Sequence, residues 1–158
     1  MILPTRLPLL GLACAFCLAL AHAGPEQSYA WLRGQQRASG LVANQQDDAF
    51  SGLYVDALAA IAYIHQGDAP AAERIFDRLD AWRVQNWGGT TATRGFPMGW
   101  NADTGVADTQ SDRWIGDNAW LLLALQYHAA MTGSADYTDM RDYIRDWLVA
   151  LKDVDGGV

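Results

Sequence analysis

Two stretches of the chain, residues 53–65 and 117–131, are apolar on nearly every side when they are drawn as helices. This pattern is typical of a helix that is covered by protein all round. Residues 69–84 and 135–151 instead carry an apolar stripe at helical spacing, with charged residues opposite. The pattern therefore predicts two buried inner helices, each followed by an amphipathic outer helix.

The signals for helix ends agree with this interpretation. Gly67-Asp68-Ala69-Pro70 and Gly133-Ser134 each supply a helix breaker and an N-cap candidate before an outer helix. A further helix is predicted over about 26–37, and strand-like alternation is limited to a possible short hairpin inside 90–107. We therefore expect an all-α fold built from α/α hairpins.

The chain contains an internal repeat at a spacing of about 65 residues. Residues 39–48 resemble residues 104–112 with one residue dropped, and residues 55–62 align with residues 117–124. Each copy continues into a glycine-containing turn and an amphipathic helix. One helical unit is therefore used twice.

The first 23 residues predict an export signal. One positive charge precedes an apolar stretch, and Ala21-His22-Ala23 places small residues where a signal peptidase cleaves. Lipid attachment at Cys14 or Cys17 is the weaker alternative, because apolar sequence continues past both. We expect cleavage near Ala23, a mature chain of residues 24–158, and a secreted or periplasmic location without a membrane anchor.

Two segments of the sequence resemble the segments at which hairpins start in the six-hairpin glycosidase-like superfamily. They are Trp31-Leu32-Arg33-Gly34-Gln35-Gln36 followed by Gly40-Leu41-Val42, and Gly116-Asp117-Asn118-Ala119-Trp120-Leu121-Leu122-Leu123-Ala124-Leu125 followed by Thr132-Gly133. The likeness extends over residues 28–158. It implies an (α/α)6 toroid, a fold that carries hydrolases, lyases, epimerases and non-catalytic proteins.

Six such hairpins need about 350 residues, because each repeat buries its apolar face only against its neighbours. This chain has two hairpins and a leading helix, so we expect the N-terminal part of a longer, here incomplete, toroid. The alternative is a naturally short protein that dimerises through its open ends.

Composition narrows the possible functions. The chain has 18 acidic against 11 basic residues, a formal charge of −7, and no basic stripe, which argues against a nucleic-acid partner. No phosphate loop, paired-histidine zinc motif or dinucleotide fingerprint occurs, so no metal or other cofactor is expected. Seven Trp, six Tyr and four Phe call for either extensive aromatic packing or a ligand that stacks on rings.

The loops that enter the inner helices, residues 42–56 and 86–118, hold the candidate site. They combine aromatic rings with carboxylates and amides, a combination that suits sugar rings and their hydroxyls. Asp56 and Asp117 begin the inner helices, where the helix dipole favours the charged form, so we predict a catalytic base or binding role for them. The predicted substrate-binding residues are Trp100, Trp114, Asp48, Tyr54, Asp112 and Asn118.

Structural roles compete with several of these assignments. Asp117 could instead cap its helix, and Asp112 could pair with Arg113. Trp82, Trp120 and Trp147 are expected in the core.

The sequence thus favours an exported glycoside hydrolase acting on a poly- or oligosaccharide. The alternatives are a non-catalytic helical scaffold that binds a glycan or peptide, and a polysaccharide lyase or sugar epimerase of the same fold. Two carboxyl groups facing one another across a cleft would favour the hydrolase.

Overall fold

A computed structural model describes residues 24–86, 88 and 94–152 of the 158-residue chain. The chain divides into two compact units, Met1–Trp31 and Leu32–Val158, and apart from the bounds of the first helix the account below concerns the second. The predicted signal peptide lies outside the described residues.

The described residues form an all-α fold, as predicted. Every predicted helix is present, and its ends fall within three residues of the expected ones. In the described part of the chain, no helix is both long and apolar enough to cross a membrane. The helices are α1 (Pro25–Gln35), α2 (Leu53–His65), α3 (Ala69–Gln85), α4 (Ile115–Thr132) and α5 (Thr138–Ala150).

The inner helices α2 and α4 pack side by side and run parallel. Near their starts, the rings of Tyr54 and Trp120 meet edge to face with centroids 5.9 Å apart. Near the end of α2, His65 Nδ1 lies 3.4 Å from the Tyr127 hydroxyl on α4. Because both contacts follow the same order along the two helices, their N-termini lie at one end of the pair.

The outer helices α3 and α5 bury the apolar stripes that the sequence predicts. Asp68 begins α3 by accepting a hydrogen bond from the Ala71 amide, and Gly133 ends α4 in the left-handed conformation. The two stripes lie in the core and consist of Ala72, Ile75, Phe76 and Leu79 on α3, and Met140, Ile144 and Trp147 on α5.

One prediction about the inner helices is wrong. Most of α2 is buried, but α4 keeps one apolar side in solvent, where Trp120 is 39%, Leu123 47% and Met131 59% exposed. We call these three residues the α4 stripe. The apolar pattern indicates a helix that is covered on every side, and within the described residues nothing covers this side.

A two-stranded antiparallel sheet joins the two loops that precede the inner helices. Strand β1 (Phe50–Gly52) pairs with β2 (Gly99–Asn101), with Ser51 opposite Trp100. The sequence predicted only a local hairpin inside 90–107. Within the described residues 94–107, that hairpin is a single bridge between Trp100 and Ala107, and β1 supplies the partner strand.

The internal repeat is visible as two equivalent turns that pack against α3. Gly40 and Gly105 occupy equivalent sequence positions, and both have a positive φ, 97° and 68°. A Cβ atom on Gly40 would lie 2.3 Å from the Arg74 carbonyl oxygen, and one on Gly105 would lie 2.2 Å from Arg78 Nε. Arg74 and Arg78 are one helical turn apart, so the two turns occupy neighbouring positions on the same helix.

Candidate functional site

Exposed aromatic rings gather at the end where α2 and α4 begin. Trp114 is the N-cap residue of α4 and is 53% exposed, and Tyr54, in the first turn of α2, is 41% exposed. Trp120 follows in the second turn of α4, with its edge-to-face contact to Tyr54. We call Tyr54, Trp114 and Trp120 the aromatic end. It offers ring surface and the Tyr54 hydroxyl to a ligand.

Asp117 lies beside these rings in the first turn of α4. It does not cap the helix, since Trp114 holds that position, and its carboxylate accepts no hydrogen bond within the described residues. Partial burial raises the pKa of Asp117 above its usual value. This desolvation acts against the helix dipole, which is expected from the sequence to favour the charged form.

Asp56 lies deeper and is fully buried. Its Oδ1 accepts a hydrogen bond of 2.8 Å from the Val42 amide, and its Oδ2 accepts one of 2.7 Å from the Ser51 hydroxyl. Burial raises the pKa of Asp56 to about 7, and the two hydrogen bonds oppose this only in part. In this conformation Asp56 joins the first repeated turn and β1 to the start of α2, out of contact with solvent.

Asn118 makes the equivalent connection in the second repeat. It is also fully buried. Its Oδ1 accepts a 2.8 Å hydrogen bond from the Phe96 amide, while its Nδ2 donates to the carbonyl oxygens of Phe96 and Trp114 at 3.0 Å each. Asp56 and Asn118 align in the repeat and both tie a loop to an inner helix, so the structure places both in the framework of the site.

The burial of Trp100 and Trp120 is the reverse of what is expected from the sequence. Trp100, expected to stack on sugar, is only 2% exposed; its indole donates to the Pro97 carbonyl oxygen and its ring packs edge to face on Trp82. Trp120, expected in the core, reaches solvent at the aromatic end. The strand pairing of Trp100 turns its side chain inward, whereas the open side of α4 leaves Trp120 uncovered.

The remaining predicted residues lie in loops. Asp48 Oδ1 accepts from the Phe50 amide at 3.0 Å, which shapes the turn before β1. Asp112 is exposed, and its backbone oxygen accepts from the Met98 amide. The suggested ion pair with Arg113 is absent among the described residues, because Arg113 Nε donates to the Gly95 carbonyl oxygen instead. The Asp112 carboxylate thus faces solvent.

Acidic and histidine side chains do not gather into a metal-binding group of three or more anywhere in the described ranges. The chemistry that this end of the protein offers is therefore that of aromatic stacking, hydrogen bonding and one partly desolvated carboxyl group.

Comparison with known proteins gives one informative likeness. The fold is similar to the solved structure of a glycosidase variant, with a TM-score of 0.58 and 18% sequence identity. The likeness covers 97% of this chain and 46% of that glycosidase, so the chain spans about half the length of the protein it matches. At this identity the match shows a glycosidase-like fold.

No known family and no curated protein matches the sequence at a significant level.

Proposed function

We propose that the chain belongs to an exported glycoside hydrolase, or a close relative, which binds a poly- or oligosaccharide at the aromatic end. The observation that carries this proposal is the placement of Asp117, a carboxyl group without a protein partner among the described residues, beside exposed rings at the start of two parallel helices. The glycosidase-like fold supports the proposal.

The proposed roles follow from the environment of each group. Trp114 and Tyr54 offer ring faces against which the C–H face of a pyranose packs. Asp117, whose pKa is raised by burial, retains its proton longer than an exposed carboxyl and can donate it to a leaving oxygen. Asp112 accepts hydrogen bonds from sugar hydroxyls, and Asp56 and Asn118 hold the loops in place.

Glycoside hydrolysis requires a second carboxyl group opposite the first. We propose that a further hairpin of a toroid supplies it, and that such a hairpin also covers Leu123 and Met131 of the α4 stripe. Leu123 and Met131 on that stripe are large apolar side chains that are about half exposed, and burying the exposed part of each would contribute about 1 kcal/mol. The glycosidase of similar fold is more than twice as long as the matched region.

We expect the coding sequence to continue past Val158 with further α/α hairpins. The reason is the uncovered apolar side of α4, which neighbouring repeats would bury. Sequencing the genomic DNA downstream of this position checks the expectation. A stop codon directly after Val158 would contradict it and would favour a short protein that covers the α4 stripe by self-association.

Replacing Trp114 by alanine is expected to weaken binding of the preferred oligosaccharide about tenfold, because one stacking ring is lost. Calorimetric titration with linear gluco-, xylo- and manno-hexasaccharides would measure this. Val84→Ala is the matched control, since it removes an exposed apolar side chain from the outer helix α3. Equal affinity of the Trp114→Ala variant and the wild type would contradict the proposed site.

A non-catalytic glycan-binding protein is the second candidate. The burial of Asp56 favours this candidate. Of the two residues predicted to be catalytic, Asp117 then remains as the one whose carboxyl group is accessible to a ligand. The test uses the longest natural form of the protein. Binding of a hexasaccharide without the release of new reducing ends would support this candidate over the hydrolase.

A further inference from the structure

A groove lies on the outer layer, between the C-terminal end of α3 and the second repeated turn. Its volume is about 270 Å³, and it contains none of the residues of the aromatic end. The lining residues used below are Arg78, Trp82, Gln85, Val106 and Thr109.

Trp82 provides the aromatic surface of this groove. Its ring packs on Phe96 and Trp100, with centroids 5.5 and 5.6 Å away, so its position is fixed from the protein side. The indole N–H donates to no acceptor within the described residues. A half-buried indole held in this way offers a fixed edge and a polar hydrogen to a ligand.

Uncharged polar side chains lie beside the indole, and Arg78 is the one charged residue among the described residues of the lining. The Gln85 amide and the Thr109 hydroxyl are exposed and form no side-chain hydrogen bonds with other described residues. Both can donate and accept, as the hydroxyl groups of a sugar require. Val106, 60% exposed, adds an apolar wall.

Arg78 and Gly105 fix the shape of the groove. Arg78 Nε donates to the Gly105 carbonyl oxygen, and Arg78 Nη2 donates to that of Thr104 at 3.4 Å. The guanidinium lies so close to Gly105 that any Cβ at this position would overlap it. The turn is therefore held against α3 before a ligand arrives, which lowers the entropic cost of binding.

We propose that this groove binds a neutral oligosaccharide segment, as a contact site separate from the aromatic end. An indole flanked by uncharged donors and acceptors suits a hydroxyl-rich neutral ligand, because the Arg78 guanidinium, the one charged group of the described lining, already donates to two backbone carbonyl oxygens. The formal charge of −7 disfavours polyanions such as nucleic acids. The choice of a carbohydrate ligand rests on the function proposed above, whereas the presence and shape of the groove are independent of that function.

The test uses the double variant Gln85→Ala/Thr109→Ala, which removes groups without protein partners among the described residues and should leave the fold intact. We expect it to weaken oligosaccharide binding at this groove about 5- to 30-fold, the effect of one or two lost hydrogen bonds. Val84→Ala, at an exposed position on the same helix outside the groove, is the matched control and should not change binding.

The probes are linear neutral gluco-, xylo- and manno-hexasaccharides, and the readout is the set of tryptophan indole resonances in a ¹H–¹⁵N spectrum. Trp82→Phe identifies the Trp82 signal while keeping an aromatic ring in the core. We expect this signal to shift during titration, and to shift less in the double variant at the same ligand concentration.

The outcomes separate the two proposals. If Trp114 and Trp82 both shift and each responds only to its own variants, both proposals hold. A Trp114 shift with an unmoved Trp82 signal would overturn the groove proposal and leave the proposed function standing. A shift confined to Trp82 would support the groove and contradict the aromatic end. No shift with any hexasaccharide would overturn both.

Discussion

Replacement of Asp56 by alanine is expected to lower the free energy of unfolding by about 2–4 kcal/mol. The Val42 amide and the Ser51 hydroxyl both donate to this carboxyl group, and both residues are buried. Each buried donor left without an acceptor costs about 1–3 kcal/mol. Urea unfolding followed by circular dichroism at pH 5.5 would measure the change. A loss below about 0.5 kcal/mol would contradict this role.

Asp56→Asn is the matched control for this variant. The second repeat uses asparagine at the equivalent position, Asn118, to tie its loop, so an amide at position 56 should retain most of the stability. The ionisation of Asp56 should also make the wild type less stable at neutral than at acidic pH. The asparagine variant should lack this contribution to the pH dependence.

The direction of this pH effect follows from the raised pKa of about 7 in the folded state, against 3.8 as the ordinary value. Between these values the folded protein holds a proton that the unfolded chain has released. The stability from the protonated group is therefore fully present below about pH 3.8 and is lost as the pH rises through about 7.

Asp117→Asn is expected to reduce the rate of glycoside hydrolysis by about 10²- to 10⁴-fold, the usual contribution of a general acid. The melting temperature should change little, because the carboxyl forms no hydrogen bond with the described residues. Release of reducing ends from the preferred hexasaccharide by the longest natural form of the protein measures the rate. Since Asp117 acts protonated, wild-type activity should fall on the alkaline side, where the group ionises.

Asp139→Asn is the control for this second variant, because Asp139 occupies the first turn of the outer helix α5 and is exposed. It should leave the hydrolysis rate unchanged. A rate within threefold of the wild type for Asp117→Asn would remove this residue from the proposed mechanism and leave the glycan-binding candidate.

The helices could be predicted because their signals are local. The alternation of apolar and amphipathic segments, with Asp68 before α3 and Gly133 after α4, depends on neighbours within a few residues. The sheet could not be predicted in the same way, since Ser51 meets Trp100 across nearly 50 residues. Three-residue strands leave too little alternation to identify a partner.

The residues of the site were harder to predict than the helices, because composition does not show which side chains are exposed. Trp100 and Trp120 are chemically identical, and only the long-range strand pairing and the open side of α4 distinguish them. The internal repeat contains one signal from which the role of Asp56 could have been predicted. It aligns Asp56 with Asn118, and an aspartate that the second copy replaces by asparagine indicates a hydrogen-bonding role shared by both copies.

The parallel course of α2 and α4 has an electrostatic consequence. Each helix N-terminus carries roughly half a positive charge, and parallel neighbours add these fields at one end instead of cancelling them. Neither Gly52 nor Trp114 supplies a side-chain cap to its helix. On a protein with a formal charge of −7, the two N-termini thus set the positive field of both helix dipoles against the first-turn carboxyl groups Asp56 and Asp117 at the aromatic end.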